Sequence, residues 1–428
     1  MPLIREGEAP AEPHAKSRLG GSLALPPQRP EYDTPPMKLK RLPEDFQVEE
    51  AHNVEPTPRG RFAFYRLTKT GMGTIEAVEA IRRRWNLSAQ SISYGGLKDR
   101  HAVTVQYLTI LGGPDRSMHQ TGFDLEPMGR LERPYGPEYF SGNRFAIVLR
   151  DMAAEAAAEA GRQLEAMARD GLPNYFDDQR FGSVGFSGEF IAFSWLKDDH
   201  ERALWLAMAD PNPFDRSQTK ARKTIIRRHW GDWAEAKAKL DRSSERSIIT
   251  YLVDHPTDFK GAFARLKRDL RGLYFSAFQS HLWNLALGAW IERNTSPEQR
   301  AMVELKLGAL PFPVNLDEER RSAIASVELP LPSSRATVPP GPVAEILDEA
   351  LRPFDLTLAD MRVRRLKDVF FSKGTRKTLL VPEKVQTEVF DDPLHRGKKA
   401  IRLGFELPKG AYATILVKRI TEATGNHG

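Results

Sequence analysis

The segment Gly96-Leu97-Lys98-Asp99-Arg100-His101-Ala102-Val103 sets one carboxylate among Lys98, Arg100 and His101 in a glycine-led stretch. Neighbouring positive charge holds a carboxylate ionised, and an ionised, fixed carboxylate serves as a nucleophile or as a general base. Asp is equally a favoured turn residue, and the local sequence alone reads most simply as a charged turn. Few other residues compete for a chemical role. The chain has no phosphate-cradling Gly-x-x-x-x-Gly-Lys-Ser/Thr, no His-Glu-x-x-His and no Gly-x-Ser-x-Gly, which demotes the enzyme classes built on those patterns. It has no cysteine, so disulfides, thiolate zinc sites and cysteine nucleophiles are excluded. The histidines are scattered, and the acidic pairs Asp177-Asp178, Asp198-Asp199 and Asp391-Asp392 lack a metal-ligand spacing. Solvated surface is the better reading for most of them, and a metal-dependent nuclease is poorly supported.

The elements that must position Asp99 follow from local pattern. Residues 1–36 are rich in Pro, Ala and Gly without a hydrophobic period and read as a flexible tail. Arg61 to Leu67 alternates as a strand does. Thr74 to Trp85 reads as a helix with Thr74 as N-cap. Ser91 to Tyr94 and Val103 to Ile110 read as two strands joined through Gly95-Gly96, which puts Asp99 on their connecting loop. A third strand, Arg144 to Arg150, follows Gly142-Asn143, and Asp151 then caps an alanine-rich helix ending near Gly171. From about Gly188 to Arg293 long helical patterns dominate. The clearest is Leu273 to Glu292, whose residues Tyr274, Phe278, Leu282, Leu285 and Ala289 form one buried stripe. Pro311, Pro313 and the stretch from Pro330 to Pro342 mark loops. Arg402 to Leu407 and Tyr412 to Ile420 return to a β-hairpin pattern. This is an α+β organisation in which the sheet part is discontinuous along the chain.

Composition bounds the setting. A chain of 428 residues is long enough for two domains, each with its own core. Hydrophobic residues at 40% and charged residues at 28% match ordinary soluble proteins. The N-terminus lacks the apolar region of a signal peptide, and no run approaches a membrane span. A cytoplasmic protein with no membrane partner is expected, and nothing requires more than a monomer. Lys and Arg number 63 against 57 Asp and Glu, a net charge of +6, which favours a polyanionic partner and nucleic acid first. Cations cluster beside aromatics at Arg82 to Trp85 and Lys220 to Trp230, and again at Arg362 to Lys367 and Arg396 to Lys399. Such clusters suit phosphate contacts with base stacking, although each alone is also an ordinary solvated face.

Several separated segments resemble, in order along the chain, the signatures of the TruD pseudouridine synthases. These are Lys40 to Phe46, Gly96 to Thr104, Gly142 to Phe145, Asn174 to Gly182, Tyr274 to Asn284 and Leu407 to Thr414. The resemblance runs from about residue 38 to about 420. It implies an enzyme that isomerises uridine in tRNA to pseudouridine, typically uridine 13 in bacteria, without cofactor or metal. It also implies a pseudouridine-synthase catalytic sheet domain built from 37–170 and 363–424, with the family's own largely helical insertion domain, 171–362, between the halves.

By the same motif matching, Asp99 takes the catalytic role at the ribose, either attacking the sugar or removing its 2′ proton. Lys40 pairs with Asp99 and holds it ionised. Phe145 stacks on the extruded uracil, and Asn143 makes a polar contact with the nucleotide. Gln106 joins the substrate-binding set as a residue behind the first contacts. Arg180 contacts RNA or ties the two domains through a carboxylate. Gln279, His281 and Asn284 are expected to pack rather than to react. The paired charges Asp177-Asp178 depart from the small or neutral pair expected there. Two other classes compete: a non-catalytic RNA-binding protein that needs only the basic patches, and a metal-dependent nuclease using the acidic pairs.

Overall fold

Period-2 alternation builds the sheet strand by strand. In β1 (Phe46–His52) the inward positions are Phe46, Val48 and Glu50; in β2 (Phe62–Thr70) they include Ala63, Tyr65, Leu67 and Lys69. A glutamate and a lysine therefore occupy core positions of two successive strands. The computed structural model describes residues 41–100, 102–366 and 368–425. The remaining strands on this side are β3 (Ile92–Tyr94), β4 (Val103–Leu111), β5 (Met118–Gln120), β6 (Phe123–Leu131) and β7 (Phe140–Met152).

Together with the late strands Glu383–Asp391 and Lys399–Pro408 they form a nine-stranded sheet. Its order is Glu383–Asp391, Lys399–Pro408, β7, β1, β4, β2, β6, β5, with β3 beside the far half of β4. Only β1 and β4 run parallel; the other pairings are antiparallel. Gly142 explains itself at this level: a Cβ there would stand 2.4 Å from the Leu407 carbonyl oxygen of the adjacent strand. Glycine is what lets β7 lie close enough to carry Asn143 and Phe145 to their places.

Helix α1 (Thr74–Arg84) crosses from β2 to β3, and α2 (Ala154–Asp170) follows β7. Two capping expectations are overturned. Gly73, not Thr74, is the N-cap of α1, and the Thr74 hydroxyl is committed elsewhere. Ala153, not Asp151, caps α2, because β7 runs on to Met152 and Asp151 lies within that strand, at a positive φ of 64°. The C-terminal end of α2 is as expected, at Gly171 with φ 91°.

From Ile191 to Asn294 the chain is helical, ending in the 27-residue helix Arg268–Asn294. That helix is not a one-stripe amphipath. Phe275, Phe278, Leu282, Trp283, Leu287 and Ile291 are all buried, while Tyr274, Leu285 and Ala289 are only partly so; the helix runs through the core. Its polar residues are spent on backbone. Asn284 brackets Phe176, accepting from its N–H and donating to its carbonyl at 2.9 Å each, and Gln279 donates to the carbonyls of Pro332 and Ser372. Burial pulls the His281 pKa down to about 4, and its ring stacks on Phe190 at 4.9 Å.

Two further expectations are corrected. Tyr412 to Ile420 is not a strand: Ala413–Gly425 is a helix, with Ala413, Leu416, Val417 and Ile420 buried at helical spacing. The hairpin partner of Lys399–Pro408 is instead Glu383–Asp391, an exposed and charge-rich edge. Pro311 and Pro313 lie inside Gly308–Pro313, which pairs with Arg300–Leu305, a two-stranded sheet able to tolerate proline at its edges.

A buried charge cluster ties the two sequence halves of the sheet. Arg150 donates to Asp45 at 2.7 Å and to Asp392 at 3.1 Å, and all three side chains are buried. Asp392 is therefore not solvated surface. Among the described residues, Arg150→Ala would leave buried Asp45 with only the Leu42 N–H and Asp392 with His395 and two backbone N–H groups, a loss of about 3–5 kcal/mol. The expected result is a large fall in the thermal unfolding midpoint, larger than that of Arg162→Ala, whose ion pair with Glu159 is on the surface. Among the described residues no helix is long and apolar enough to cross a membrane.

Candidate active site

The loop between β3 and β4 carries Asp99, and the protein holds this loop by its main chain. From beneath, the fully buried Lys69 donates through Nζ to the Asp99 carbonyl at 2.8 Å, to the Met72 carbonyl at 2.7 Å and to that of Lys98 at 3.4 Å. The Thr74 hydroxyl accepts from the Lys98 N–H at 2.9 Å and donates to Gln106 Oε1 at 2.7 Å. Gln106 Nε2 reaches the Gly96 carbonyl at 3.4 Å. Three buried polar groups thus fix the backbone on both sides of Asp99, whose side chain is exposed and lines a cleft.

The charges flanking Asp99 in sequence are committed to other carboxylates. Lys98 turns away, meeting Glu50 Oε1 at 3.1 Å, donating to Asn143 Oδ1 at 2.7 Å and lying 4.4 Å over the Phe140 ring. Glu50 is held in turn by the Tyr107 N–H at 3.0 Å and by the Tyr135 hydroxyl. Arg100 pairs with Glu76. Their short ion pairs are thus with Glu50 and Glu76. Lys69, from the strand β2 paired with β4, adds buried charge beneath the loop. Burial pulls the Lys69 pKa down to about 8, with the Asp99 charge working in the opposite direction. Burial also lowers Lys98, opposed by Glu50.

The cleft has a volume of about 190 Å³. Phe46, Val48, Asn143 and Phe145 line it from the sheet, Leu97 to Asp99 from the loop, and Ala411 to Thr414 from the turn before the last helix. Phe145 sits opposite Val48 on β1 and Phe405 on the next strand. One face of its ring is taken by Phe405, stacked at 5.3 Å, and Phe46 meets it edge-on at 6.3 Å. It is 7% exposed, so what it offers the cleft is a narrow aromatic surface. Thr104 also lines the cleft, with a buried Oγ1 that has no partner among the described residues. Such a hydroxyl is a ready donor or acceptor for a bound base.

These observations converge on one family. A model of tRNA pseudouridine synthase D (TruD) matches residues 32–420. The chain belongs to the TruD family. A probable tRNA pseudouridine synthase D 1 of Methanococcus maripaludis is 31% identical over 390 residues, covering 90% of this chain and 99% of the relative. The Aquifex aeolicus tRNA pseudouridine synthase D is 26% identical over 392 residues, covering 90% and 98%. The crystal structure of a putative TruD from Methanosarcina mazei superposes with a TM-score of 0.72 at 26% identity, covering 91% of this chain and 95% of that one. TruD proteins are tRNA pseudouridine synthases, isomerases that convert uridine to pseudouridine, and the α+β fold described above is theirs.

Within this TruD chain the site residues read from sequence are distributed as follows. Asp99, Asn143 and Phe145 line one cleft. Lys40 lies outside the described residues. Gln106 is fully buried under the loop and does not line the cleft; it stands behind the first contacts and bonds the Gly96 carbonyl and the Thr74 hydroxyl. Arg180 stands one residue from the cleft-lining Gln179, donates to Ser280 Oγ at 3.2 Å and meets no carboxylate within 4 Å among the described residues. It does not tie the fold together through an acid.

Lys418 from the last helix neutralises the unexpected pair, standing 2.6 Å from Asp177 and 2.8 Å from Asp178. Among the described residues no group of three or more His, Asp or Glu is arranged to hold a metal. Sequence reading missed Lys69, Glu50 and Thr74 as site-building residues. The available signal was their position: Lys69 and Glu50 continue the inward alternation of apolar residues in β2 and β1, where a charge is out of place unless it is used.

Proposed function

We propose that this chain converts uridine 13 of tRNA to pseudouridine, with the Asp99 carboxylate acting at the ribose of a uridine turned out into the cleft. The observation that carries the reading is the clamped loop: an exposed acid, fixed by buried bonds to its own backbone, facing a cleft lined by Asn143, Phe145 and Thr104. Precise placement of a reacting group relative to a bound substrate is where much of an enzymatic rate arises.

The bond from C1′ to N1 breaks, the uracil turns over, and C5 joins C1′; C5 gives up its proton and N1 gains one. Asp99 either adds to C1′ or takes the 2′ proton at the first step, and both routes begin from the ionised acid. Deuterium at C2′ slows the second route and leaves the first unchanged. The aromatic edge of Phe145 contacts the detached base, and the amide of Asn143, oriented by Lys98, offers a polar contact to the nucleotide.

The catalytic part of the chain is the sheet part, 37–170 with 363–424, and the part between, 171–362, is an insertion that reaches the cleft at Gln179. The presence of Glu383–Asp391 and Lys399–Pro408 in the same sheet as β1 to β7 supports that division. To the same reading belong a monomer acting in the cytoplasm, with Lys40 as the ion-pair partner of Asp99 and no cofactor or metal.

The test incubates an unmodified tRNA transcript with the protein in excess chelator and maps pseudouridine by carbodiimide primer extension. A stop at position 13 that is absent when that uridine is replaced by cytidine is the expected outcome. Strand cleavage that chelator suppresses would favour a nuclease. Tight tRNA binding without any stop would favour a non-catalytic binder.

A further inference from the structure

The geometry points to Arg376 and Arg180 as a two-guanidinium subsite for a backbone phosphate of the bound RNA strand, next to the cleft that receives the uridine. This inference rests on the pseudouridine synthase reading and names a part of the substrate that the reading leaves unassigned.

Both guanidinium groups lie over the same ring: Arg376 is 4.1 Å and Arg180 is 5.6 Å from the Phe176 centroid. The Phe176 backbone is held on both sides by the Asn284 amide. Its ring meets the Tyr412 ring at 6.2 Å, and Tyr412 lines the Asp99 cleft. Arg376 also reaches the Gly410 carbonyl at 3.4 Å, on the same rim. The cation pair is thus separated from the cleft by a single layer of aromatic side chains.

Two like charges drawn onto one ring cost free energy unless something answers them. No carboxylate lies within 4 Å of either guanidinium among the described residues, and the nearby Asp177 and Asp178 are taken by Lys418. Arg376 spends one nitrogen, Nη2, on the Asn174 side chain and backbone at 2.7 and 3.1 Å, and its buried Nε finds no acceptor among the described residues. Arg180 spends only Nε, on Ser280. Burial pulls Arg376 below its ordinary pKa, and the Arg180 charge adds to that against the Tyr412 hydroxyl. Arg376 Nη1 and both terminal nitrogens of Arg180 have no acceptor among the described residues. A planar fork with free terminal donors matches the oxygens of a phosphodiester, and RNA is the polyanion this enzyme family acts on.

The experiment measures binding of an unmodified tRNA transcript by the full chain as a function of salt, between about 50 and 200 mM. Removing the partner of one phosphate lowers the slope of log affinity against log salt by about 0.9. The inference expects Arg376→Ala to lower the slope by about that amount and to bind about tenfold more weakly at the low-salt end. It expects Arg376→Lys to keep the slope. It expects the Arg180→Ala, Arg376→Ala pair to fall little further than either alone, because both groups hold one phosphate.

A purely structural role for the pair predicts lower thermal stability with an unchanged slope, and that result overturns the inference. If Arg376→Ala does not fold, Arg180→Ala carries the same test, since its side chain makes only the Ser280 bond among the described residues; an unchanged slope there overturns it equally. The two readings fail separately. A wild-type chain that binds tRNA and makes no pseudouridine fails the first, whereas an active wild type whose slope survives both substitutions fails this one.

Discussion

Asp99→Asn is expected to lower the rate of pseudouridine formation by about 10⁴-fold, the upper end of what a positioned acid or base contributes, while tRNA affinity stays at the wild-type level. The substitution is informative here because the clamps from Lys69, Thr74 and Gln106 take hold of main chain. Lys69 grips the Asp99 carbonyl, Thr74 accepts from the Lys98 N–H, and Gln106 reaches the Gly96 carbonyl. An asparagine keeps all three and removes the negative charge and its basicity. Single-turnover kinetics with the mapped tRNA, beside a binding isotherm, separate the effects. A fully active Asp99→Asn protein would end the assignment of the chemistry to this carboxylate.

Lys69→Met is expected to lower the same rate by about 10²-fold, the cost of displacing a reacting group by roughly an ångström. The long apolar side chain fills the buried space but leaves the carbonyls of Asp99 and Met72 without their donor, at about 1–3 kcal/mol for each buried group left unsatisfied. The pH dependence gives a second, independent readout. With its pKa brought to about 8 by burial, Lys69 is charged below that pH and neutral above it, so the wild-type rate should fall as pH rises through about 8. In Lys69→Met that alkaline limb disappears, leaving a flat and lower profile over the same window. A limb that persists unchanged in the variant would assign the titration to another group, and an unchanged rate would make Lys69 a packing residue only.

The legibility of this site in the sequence differs residue by residue. The placement of Asp99 on a loop between two strands was readable, because both flanking strands carry their own β-branched and aromatic pattern and the glycines between them announce a turn. The strand that carries Asn143 and Phe145 to the same cleft was also readable, since Gly142-Asn143 precedes an unmistakable apolar alternation. What failed were readings in which a short window supports two answers. Tyr412 to Ile420 is rich in β-branched residues and resembles a strand, yet its buried positions repeat at helical spacing once α2 is there to receive them. Thr74 is a good cap by type, but its hydroxyl is worth more to the loop at Lys98 and Gln106 than to its own helix end.

The ionic partnerships were the least readable, and for a definite reason. A charge in sequence carries no record of which charge it will meet, and burial makes that choice expensive to get wrong. Lys98 and Arg100 flank Asp99 covalently and yet turn to Glu50 and Glu76. Lys69 belongs to another strand and comes up beneath the loop. Arg180 and Arg376 meet over Phe176 only because Asn284 holds its backbone and the strand Thr375–Lys377 passes beside it.

By itself, then, the sequence determined the strands that flank Asp99, the turn that exposes its carboxylate, and the ordered segments that mark a TruD protein. Each of these is a property of a few consecutive residues and their periodicity. The tertiary structure alone decided which cations support the loop of that carboxylate and which stand beside the cleft without an acidic partner. Those are relations across the chain, set by packing and desolvation, which act only once distant strands and helices are brought together.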